Sequence, residues 1–259
     1  MEFTGQSALV TGGAGGLGGA TSRRLVELGM AVVIFEPVGD KARALATELG
    51  PRAHAFEGDH TSEGDVLAAI ALAQGSGRFS VCVNVAGVAI MAPAMATADG
   101  TPHDMQTFRD MIDLHLNGPF NVSRLAAAAF AANAPDAEGQ RGLIVNTSST
   151  AAYDGQGHQV AYSAAKAGIA GMTLAMARDL APIGVRACAI APGPILTPRL
   201  AGASDALKAE LTKNVAFPKR FGWAEEYASL VEAFLNTPFL NGQTVRLDGA
   251  MSTPLTQMR

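Results

Sequence analysis

The sequence predicts an α/β fold in which a parallel sheet of about seven strands is covered by helices on both faces. Short, continuously apolar runs alternate with alanine-rich segments of helical length along the chain. Strands of this kind have no polar face, so both faces of their sheet must be covered. The alternation continues without a linker or a shift in composition, which favours one doubly wound domain over residues 1–259.

Each element follows from a local pattern. The strand candidates are β-branched and apolar runs such as "SALVT" and "AVVIF", and they occupy residues 7–11, 31–35, 54–57, 81–85, 143–147, 186–191 and 244–247. The helix candidates are the amphipathic segments between them, at residues 17–28, 41–49, 62–74, 107–132, 162–181 and 224–236. Strands that alternate with helices in this way predict parallel pairing.

Two segments interrupt the alternation. Residues 91–106, "MAPAMATADGTPHDMQ", are rich in proline, glycine and methionine and predict a loop or a small surface element. Residues 194–220 follow "APGP" and predict a lid over the substrate. Both segments come after the carboxyl ends of strands, where ligands bind in open α/β sheets.

Composition excludes several classes of protein. The formal charge of −4 argues against a nucleic-acid partner, because a phosphate backbone is bound mainly through clustered Lys and Arg. Cys82 and Cys188 lie far apart in apolar runs and predict buried thiols in a reducing compartment, and the histidines show no metal-ligand spacing. The N-terminus has no signal-peptide pattern, and no apolar run reaches the ~18–20 residues that span a bilayer. We expect a soluble, cytoplasmic protein that acts on a small molecule without a metal.

A nucleotide site is predicted by "TGGAGGLG" at residues 11–18, directly after the first strand. Glycines let the backbone approach a pyrophosphate, and the following helix N-terminus presents N–H groups and a positive dipole to it. Glu36 ends the second strand, 20 residues after Gly16, where an acid binds a ribose 2′-hydroxyl. It would repel a 2′-phosphate, and no Arg or Lys occurs at 13–15 or 37–40 to receive one. The pattern therefore predicts NAD, and the alternative is a plain glycine-rich turn beside a solvated Glu36.

The spacing Thr-Gly-x-x-x-Gly-x-Gly resembles the short-chain dehydrogenase/reductase family, and the resemblance covers nearly the whole chain. "NVAG" at 84–87 is similar to the family's turn after the fourth strand, Asp59 to the acid beside the adenine ring, and "PGPILT" at 192–197 to the segment over the nicotinamide. The resemblance implies a Rossmann-type domain. The cofactor-binding residues it implies are Gly12, Gly15, Gly16, Leu17, Gly18, Glu36, Asp59, His60, Asn84, Val85, Ala86, Gly87, Tyr162, Lys166, Pro192, Gly193, Ile195 and Thr197.

The catalytic candidates lie around "YSAAKAG". Tyr162 and Lys166 are four residues apart, so on a helix they share one face. A phenol ionises near pH ~10, and a neighbouring ammonium is expected to lower that pKa into a useful range. Ser149 ends the fifth strand, and its hydroxyl could hold a substrate oxygen beside the phenol. The Ser…Tyr-x-x-x-Lys set is similar to the family's catalytic core in order and spacing.

Other residues near this motif are weaker candidates. Tyr153 precedes the helix and is too far along the chain from Lys166, which favours a loop or pocket-wall position. His158 is an alternative acid or base, although "GQGHQ" is typical of a loop that lines the pocket. Gln156, in that loop, is a candidate substrate contact together with Ser149 and Tyr162.

One position departs from the family pattern. The family carries an asparagine in its fourth helix that helps to hold a water beside the lysine, and here "IDLHLNG" places His115 there. Asn117 lies two residues later, about 200° around an α-helix, so it should not substitute directly. Either His115 holds the water, or a catalytic triad suffices, or His115 only packs.

Several stretches resemble the type II 3-hydroxyacyl-CoA dehydrogenase branch of the family, namely 96–108, 138–147, 178–186 and 239–251. The resemblance implies NAD-dependent oxidation of a secondary alcohol, a 3-hydroxyacyl-CoA before others, and a homotetramer. The alternatives are a hydroxysteroid, another small alcohol, a 3-oxoacyl-acyl-carrier-protein, or a binding module without chemistry. Five cations at 199–220 against Asp205 and Glu210 give a local balance of +3 that could attract the CoA phosphates.

Overall fold

The computed structural model describes residues 3–87 and 94–252. Its strands are β1 (Gln6–Thr11), β2 (Ala31–Glu36), β3 (Ala53–Glu57), β4 (Arg78–Asn84), β5 (Gly142–Thr147), β6 (Val185–Pro192), β7 (Ile195–Leu196), β8 (Gly222–Trp223) and β9 (Thr244–Leu247). Its α-helices are α1 (Gly16–Glu27), α2 (Gly39–Leu49), α3 (Glu63–Ser76), α4 (Met105–Ile112), α5 (Gly118–Ala131), α6 (Val160–Leu180), α7 (Pro198–Ala201), α8 (Asp205–Thr212) and α9 (Ala224–Asn236).

The main sheet has seven strands in the order β3-β2-β1-β4-β5-β6-β9, and every neighbouring pair is parallel. The predicted α/β class and strand count are confirmed. From β1 the chain adds β2 and β3 on one side and then crosses to add β4, β5 and β6 on the other. The crevice between the carboxyl ends of β1 and β4 is therefore where a ligand is expected.

Both faces of the sheet are buried, as the apolar strands require. Val10 packs with residues of α1, α2 and α9 on one face, whereas its neighbour Leu9 packs with residues of α3 and α5 on the other. Alternate residues of one strand thus serve opposite cores. Cys82 and Cys188 are buried, unlinked thiols, as predicted, and burial raises the pKa of Cys82 to about 12.

The helix predicted at 107–132 differs from the structure in one respect. A π-helical turn, Asp113–Asn117, separates α4 from α5. The Gly118 N–H donates to the Asp113 carbonyl, five residues back, where an α-helix would bond four back. Single π turns of this kind occur frequently at functional sites, and this one carries His115.

The two irregular segments take different forms. Residues 94–104 form a loop with an isolated bridge between Ala96 and Pro102, while the first three residues of the predicted 91–106 loop lie outside the described chain. Residues 194–220 contain β7, α7 and α8, and β7 pairs with β8. Within the part of the chain that the structure describes, no helix is long and apolar enough to cross a membrane.

Candidate active site

The glycine loop lies at the carboxyl end of β1, against the turn that follows β4. Gly12 has φ +64°, a left-handed conformation, and a Cβ there would lie 2.9 Å from the Ala86 Cα. The Thr11 hydroxyl accepts hydrogen bonds from the Val85 and Ala86 N–H groups at 3.2 and 3.3 Å. Two of the segments predicted to bind the dinucleotide are therefore in direct contact.

The N-terminus of α1 lies beside a third predicted segment. A Cβ on Gly16 would be 2.8 Å from the Thr197 Cγ2, so only glycine allows Thr197 to pack this close to the start of α1. The N-cap residue is Gly15, which has no side chain to cap the helix, and the first turn carries no acidic residue. The N–H groups and the positive end of the dipole thus remain for an anion. These residues fit the pyrophosphate of a dinucleotide.

Glu36 closes the other side of the glycine loop. It is buried at the end of β2, and its Oε1 accepts a hydrogen bond from the Ala14 N–H at 2.8 Å. The carboxylate is thus fixed beside the loop where the sequence places a ribose. The nearby Arg43 of α2 bonds to both Asp40 and Glu57, so its charge is balanced by two carboxylates.

Two residues predicted to hold the cofactor have other contacts. The Asn84 side chain points into the interior, where its amide donates to Asn146 at 2.8 Å and Ser123 at 3.1 Å. Asp59 is exposed and accepts from the Thr61 N–H, which lowers the pKa of its carboxyl. The Asn84 Oδ1 accepts from the Thr11 hydroxyl at 3.5 Å, so the side chain supports the turn that follows β4 from the interior.

Lys166 lies on the buried face of α6. Its ammonium donates to the Thr147 carbonyl at the end of β5, at 2.8 Å, and the Ser148 hydroxyl donates to the Lys166 carbonyl at 2.8 Å. Burial lowers the pKa of Lys166 to about 8. Thr147 and Ser148 were not singled out from the sequence, and their position next to Ser149 is the only signal for them.

Tyr162 lies between Ser149 and Lys166. Its phenol hydrogen-bonds the Ser149 hydroxyl, and the Lys166 Nζ is 5.7 Å from its ring centroid. Burial raises the pKa of Tyr162, and the hydrogen bond from Ser149 opposes that rise. The expectation that Lys166 brings the phenol pKa below its usual value is wrong for this structure, because desolvation of the phenolate is the larger effect.

The weaker candidates lie on the surface. Tyr153 is 49% exposed, and its ring stacks with the Arg246 guanidinium at 5.4 Å. Gln156 and His158 are exposed in the loop before α6, and His158 has φ 64°. Tyr153 therefore lies in a loop, as predicted, and its contacts involve Arg246 rather than Lys166.

His115 lies against Tyr162. The two rings meet edge to face with centroids 5.1 Å apart, and the imidazole is buried. On its other side, a Cβ on Gly87 would be 2.6 Å from the imidazole, so this ring fills the space over Gly87. Asn117 is directed elsewhere and donates to the Asp113 carboxylate. His115, and not Asn117, therefore faces the phenol.

The lid is less basic than its sequence suggests. Arg220 forms two hydrogen bonds to Glu226, at 2.8 and 2.9 Å, and Lys213 pairs with Glu210. Lys208 and Lys219 donate to backbone carbonyls at 2.9 and 3.2 Å. Glu226 lies outside residues 199–220, so the local net charge of +3 falls to +2 once this partner of Arg220 is counted.

A cavity of about 300 Å³ lies within the lid. Its walls are mostly apolar with two cations, and the lining residues are Leu196, Ala201, Lys208, Ala209, Thr212, Arg220, Phe221 and Trp223. Leu196 precedes Thr197, which contacts the N-terminus of α1. The cavity is thus lined by the residue that precedes a predicted cofactor-binding residue, and none of its lining residues belongs to the Ser149, Tyr162 and Lys166 cluster.

A parallel sheet with a glycine loop after β1 and a Ser–Tyr–Lys cluster after β5 defines a nucleotide-linked oxidoreductase. A family model described as short chain dehydrogenase matches residues 6–208. Human 3-hydroxyacyl-CoA dehydrogenase type-2 is 47% identical over 94% of each chain, and the ipsdienol dehydrogenase of Ips pini is 36% identical over 94% of this chain and 95% of its own. The crystal structure of 3-hydroxyacyl-CoA dehydrogenase type-2 from Mycobacterium avium matches with TM-score 0.95 and 46% identity, over 96% of this chain and 97% of that one. The chain belongs to the short-chain dehydrogenase/reductase family, whose members use NAD or NADP.

The position of His115 leads to a prediction. His115→Asn should retain activity within about tenfold, because a smaller polar side chain leaves room for a water beside Lys166. His115→Phe is the matched comparison, since it keeps an aromatic contact with Tyr162 but cannot form a hydrogen bond. Steady-state rates of both variants separate the contribution of the aromatic contact from that of a hydrogen-bonding side chain. A loss of about a hundredfold or more in the Asn variant would show that the imidazole itself is required.

Proposed function

We propose that this enzyme uses NAD to oxidise the secondary alcohol of a 3-hydroxyacyl-CoA to the ketone and catalyses the reverse reaction. The observation that carries the proposal is the Ser149–Tyr162–Lys166 cluster next to the glycine loop, on a chain 47% identical to a 3-hydroxyacyl-CoA dehydrogenase. A glycine loop alone would suit a binding protein equally well. The cluster favours an enzyme, because it joins a buried phenol to a hydroxyl and an ammonium.

In the proposed oxidation, the chain moves one proton. Ser149 hydrogen-bonds the substrate hydroxyl and holds its oxygen next to the Tyr162 phenol, which accepts the proton as phenolate. Lys166 stabilises the phenolate by charge, and the dinucleotide, when bound, supplies a hydride acceptor with a positively charged ring. Because burial alone raises the pKa of Tyr162, these positive charges are needed to make the phenolate accessible near neutral pH.

The proposed cofactor is NAD rather than NADP. The Glu36 carboxylate is buried and fixed to the loop by Ala14, so it cannot move away from a 2′-phosphate without breaking that hydrogen bond. Burying an uncompensated second negative charge beside it would be costly. Arg43, a cation of α2, already has two acidic partners.

Replacing Glu36 by Ala should narrow the preference for NAD over NADP. The change removes the repulsion of a 2′-phosphate, and it also removes the acceptor for the ribose and the anchor of the Ala14 N–H. We expect KM for NAD to rise while KM for NADP falls, measured with both dinucleotides. Glu48→Ala, on the surface of α2, is the matched control and should leave both values unchanged. A wild-type preference for NADP would contradict the assignment.

The lid supports an acyl-CoA substrate over an uncharged alcohol. Its cavity combines apolar walls with Lys208, which suits a molecule with an apolar chain and phosphate groups. Lys208 and Lys219 donate only to carbonyls among the contacts of the described residues, so their charges remain available to an anion. Arg220 and Lys213 are already balanced by acids. We therefore assign the attraction to Lys208 and Lys219.

A substrate panel tests the proposal. Formation of reduced dinucleotide is followed with a 3-hydroxyacyl-CoA, a hydroxysteroid and a short alcohol, and we expect the largest kcat/KM for the first. Lys208→Glu and Lys219→Glu should raise KM for the CoA substrate several-fold with little change in kcat, and added salt should act in the same direction. Lys41→Glu, exposed on α2, is the control. Equal KM values in all variants would favour a hydroxysteroid or a small alcohol.

A homotetramer and a cytoplasmic location also belong to this proposal. Helices α5 and α6 carry small residues suited to close packing, and three large apolar side chains are exposed on them: Phe120 on α5, and Val160 and Leu174 on α6. Their exposure supports burial against other subunits. The two buried, unlinked cysteines agree with a reducing compartment.

A further inference from the structure

The π-helical turn between α4 and α5 leaves a backbone carbonyl for a side chain from another part of the molecule. Because the Gly118 N–H donates to Asp113, the carbonyl of Leu114 loses the partner that an α-helix would give it. The buried imidazole of His60 takes that place, with its Nε2 2.9 Å from the Leu114 oxygen. A carbonyl can only accept, so the Nε2 of His60 carries the proton and donates it.

The contact between His60 and the helix depends on close packing. A Cβ on Gly118 would lie 2.2 Å from the Cδ2 of His60, so the imidazole occupies the space beside a residue without a side chain. Asn121, one turn further along α5, donates to the carbonyl of His60 at 3.2 Å. His60 is therefore fastened to the helix through both its ring and its backbone.

The same turn determines which side chain faces Tyr162. A π turn adds one residue to the helix, and one residue corresponds to about 100° of rotation. If residues 113–117 reverted to an α-helix, His115 would rotate by about that angle relative to α5 and leave the Tyr162 ring. Leu116 faces α6 as well, since a Cβ on Gly168 would be 2.9 Å from its side chain.

We propose that His60 is a positioning residue for the reaction: its hydrogen bond to Leu114 maintains the π turn, which keeps His115 against Tyr162. The proposal rests on the oxidoreductase site proposed above. His60 follows Asp59 in the loop after β3, so a loop assigned to the adenine end of the cofactor is joined through α5 to the phenol at the reacting end.

The test compares His60→Leu, which removes the donor, with His60→Gln, whose amide can donate to the same carbonyl. His54→Leu, on β3, is the matched control. For each protein, hydrogen–deuterium exchange is measured in peptides covering residues 113–118, together with kcat and KM for NAD. The exchange measurement does not depend on turnover, so it remains informative if the proposed substrate is wrong.

We expect His60→Leu to speed exchange at 113–118 and to lower kcat about ten- to a hundredfold, more than His115→Asn, because displacement of the turn leaves no polar side chain against Tyr162. The change in KM for NAD should be smaller. His60→Gln should restore both values to within a few-fold of wild type. A rise in KM for NAD with unchanged kcat and exchange would overturn the proposal in favour of a direct cofactor contact. Equal losses in the Leu and Gln variants would overturn it too. If His60→Leu does not fold, Asn121→Ala should give the same two changes in weaker form, and unchanged exchange in that variant would contradict the proposal.

Discussion

Tyr162→Phe is expected to lower kcat by at least about 10²-fold while dinucleotide binding is retained. The substitution keeps the ring, its edge-to-face contact with His115 and its position near Lys166. It removes only the hydroxyl that bonds Ser149 and accepts the substrate proton in the proposed mechanism. Proton transfer by a positioned side chain contributes about 10²–10⁴-fold, which sets the size of the loss. Steady-state rates and calorimetric binding of NAD measure the two quantities separately.

The other two tyrosines provide matched controls. Tyr153→Phe changes an exposed ring that stacks with Arg246, and its effect should be small. Tyr227→Phe removes a buried hydroxyl that hydrogen-bonds Thr147 at 2.7 Å, so it should affect stability more than rate. Turnover by Tyr162→Phe within about tenfold of wild type would exclude Tyr162 as the proton acceptor.

Lys166→Met is expected to have the second largest effect, an activity loss of at least about 10²-fold without a loss of stability at pH 7. Without the ammonium, the hydrogen bond from Ser149 alone among the cluster's side chains opposes the rise in the pKa of Tyr162 that burial causes. The folded protein lowers the pKa of Lys166 from 10.5 to about 8, which corresponds to about 3 kcal/mol of unfavourable free energy at pH 7. Loss of the hydrogen bond to the Thr147 carbonyl destabilises the variant by about 1–3 kcal/mol, which is no more than the variant gains by not burying the ammonium.

The sign of the pH dependence follows from the same shift. Between about pH 8 and pH 10.5 the unfolded state retains the Lys166 proton and the folded state has released it. The contribution of this group to the free energy of unfolding therefore rises with pH across that window. Thermal unfolding of both proteins at several pH values should show the variant at least as stable as wild type at pH 7 and relatively less stable at higher pH. A variant that is clearly less stable at pH 7, by an amount independent of pH, would contradict the burial argument.

The sheet was predictable because its signal lies in each strand. Runs such as "AVVIF" are apolar throughout, and a strand of that kind can only be buried on both faces. The glycine loop was predictable for a similar local reason, since Gly12 needs a positive φ and Gly16 must leave space beside Thr197. Ser149, Tyr162 and Lys166 come together because β5 and α6 place them on one side of the sheet.

The missed features depend on contacts between distant residues. The π turn at Asp113–Asn117 was missed although Pro119, which has no N–H to donate to a carbonyl of that turn, is a local sign of an interrupted helix. The partner of the turn's spare carbonyl, His60, lies more than fifty residues earlier in the chain and could not be read from the sequence. The charge of the lid was overestimated because the partner of Arg220 is Glu226, in the next helix. The pKa of Tyr162 was misjudged because sequence spacing reports the neighbouring ammonium but not the depth of burial.

In the proposed reaction, hydride leaves the carbinol carbon of a 3-hydroxyacyl-CoA for NAD at the site formed by Ser149, Tyr162 and Lys166. The most direct measurement uses 3-hydroxybutyryl-CoA that carries deuterium on that carbon, with mass spectrometry of the dinucleotide after a single turnover. We expect reduced dinucleotide with one deuterium from the wild-type enzyme and almost no reduced dinucleotide from Tyr162→Phe. Reduced dinucleotide without the label, or no reduced dinucleotide from a folded wild-type enzyme that binds NAD, would contradict the proposed reaction.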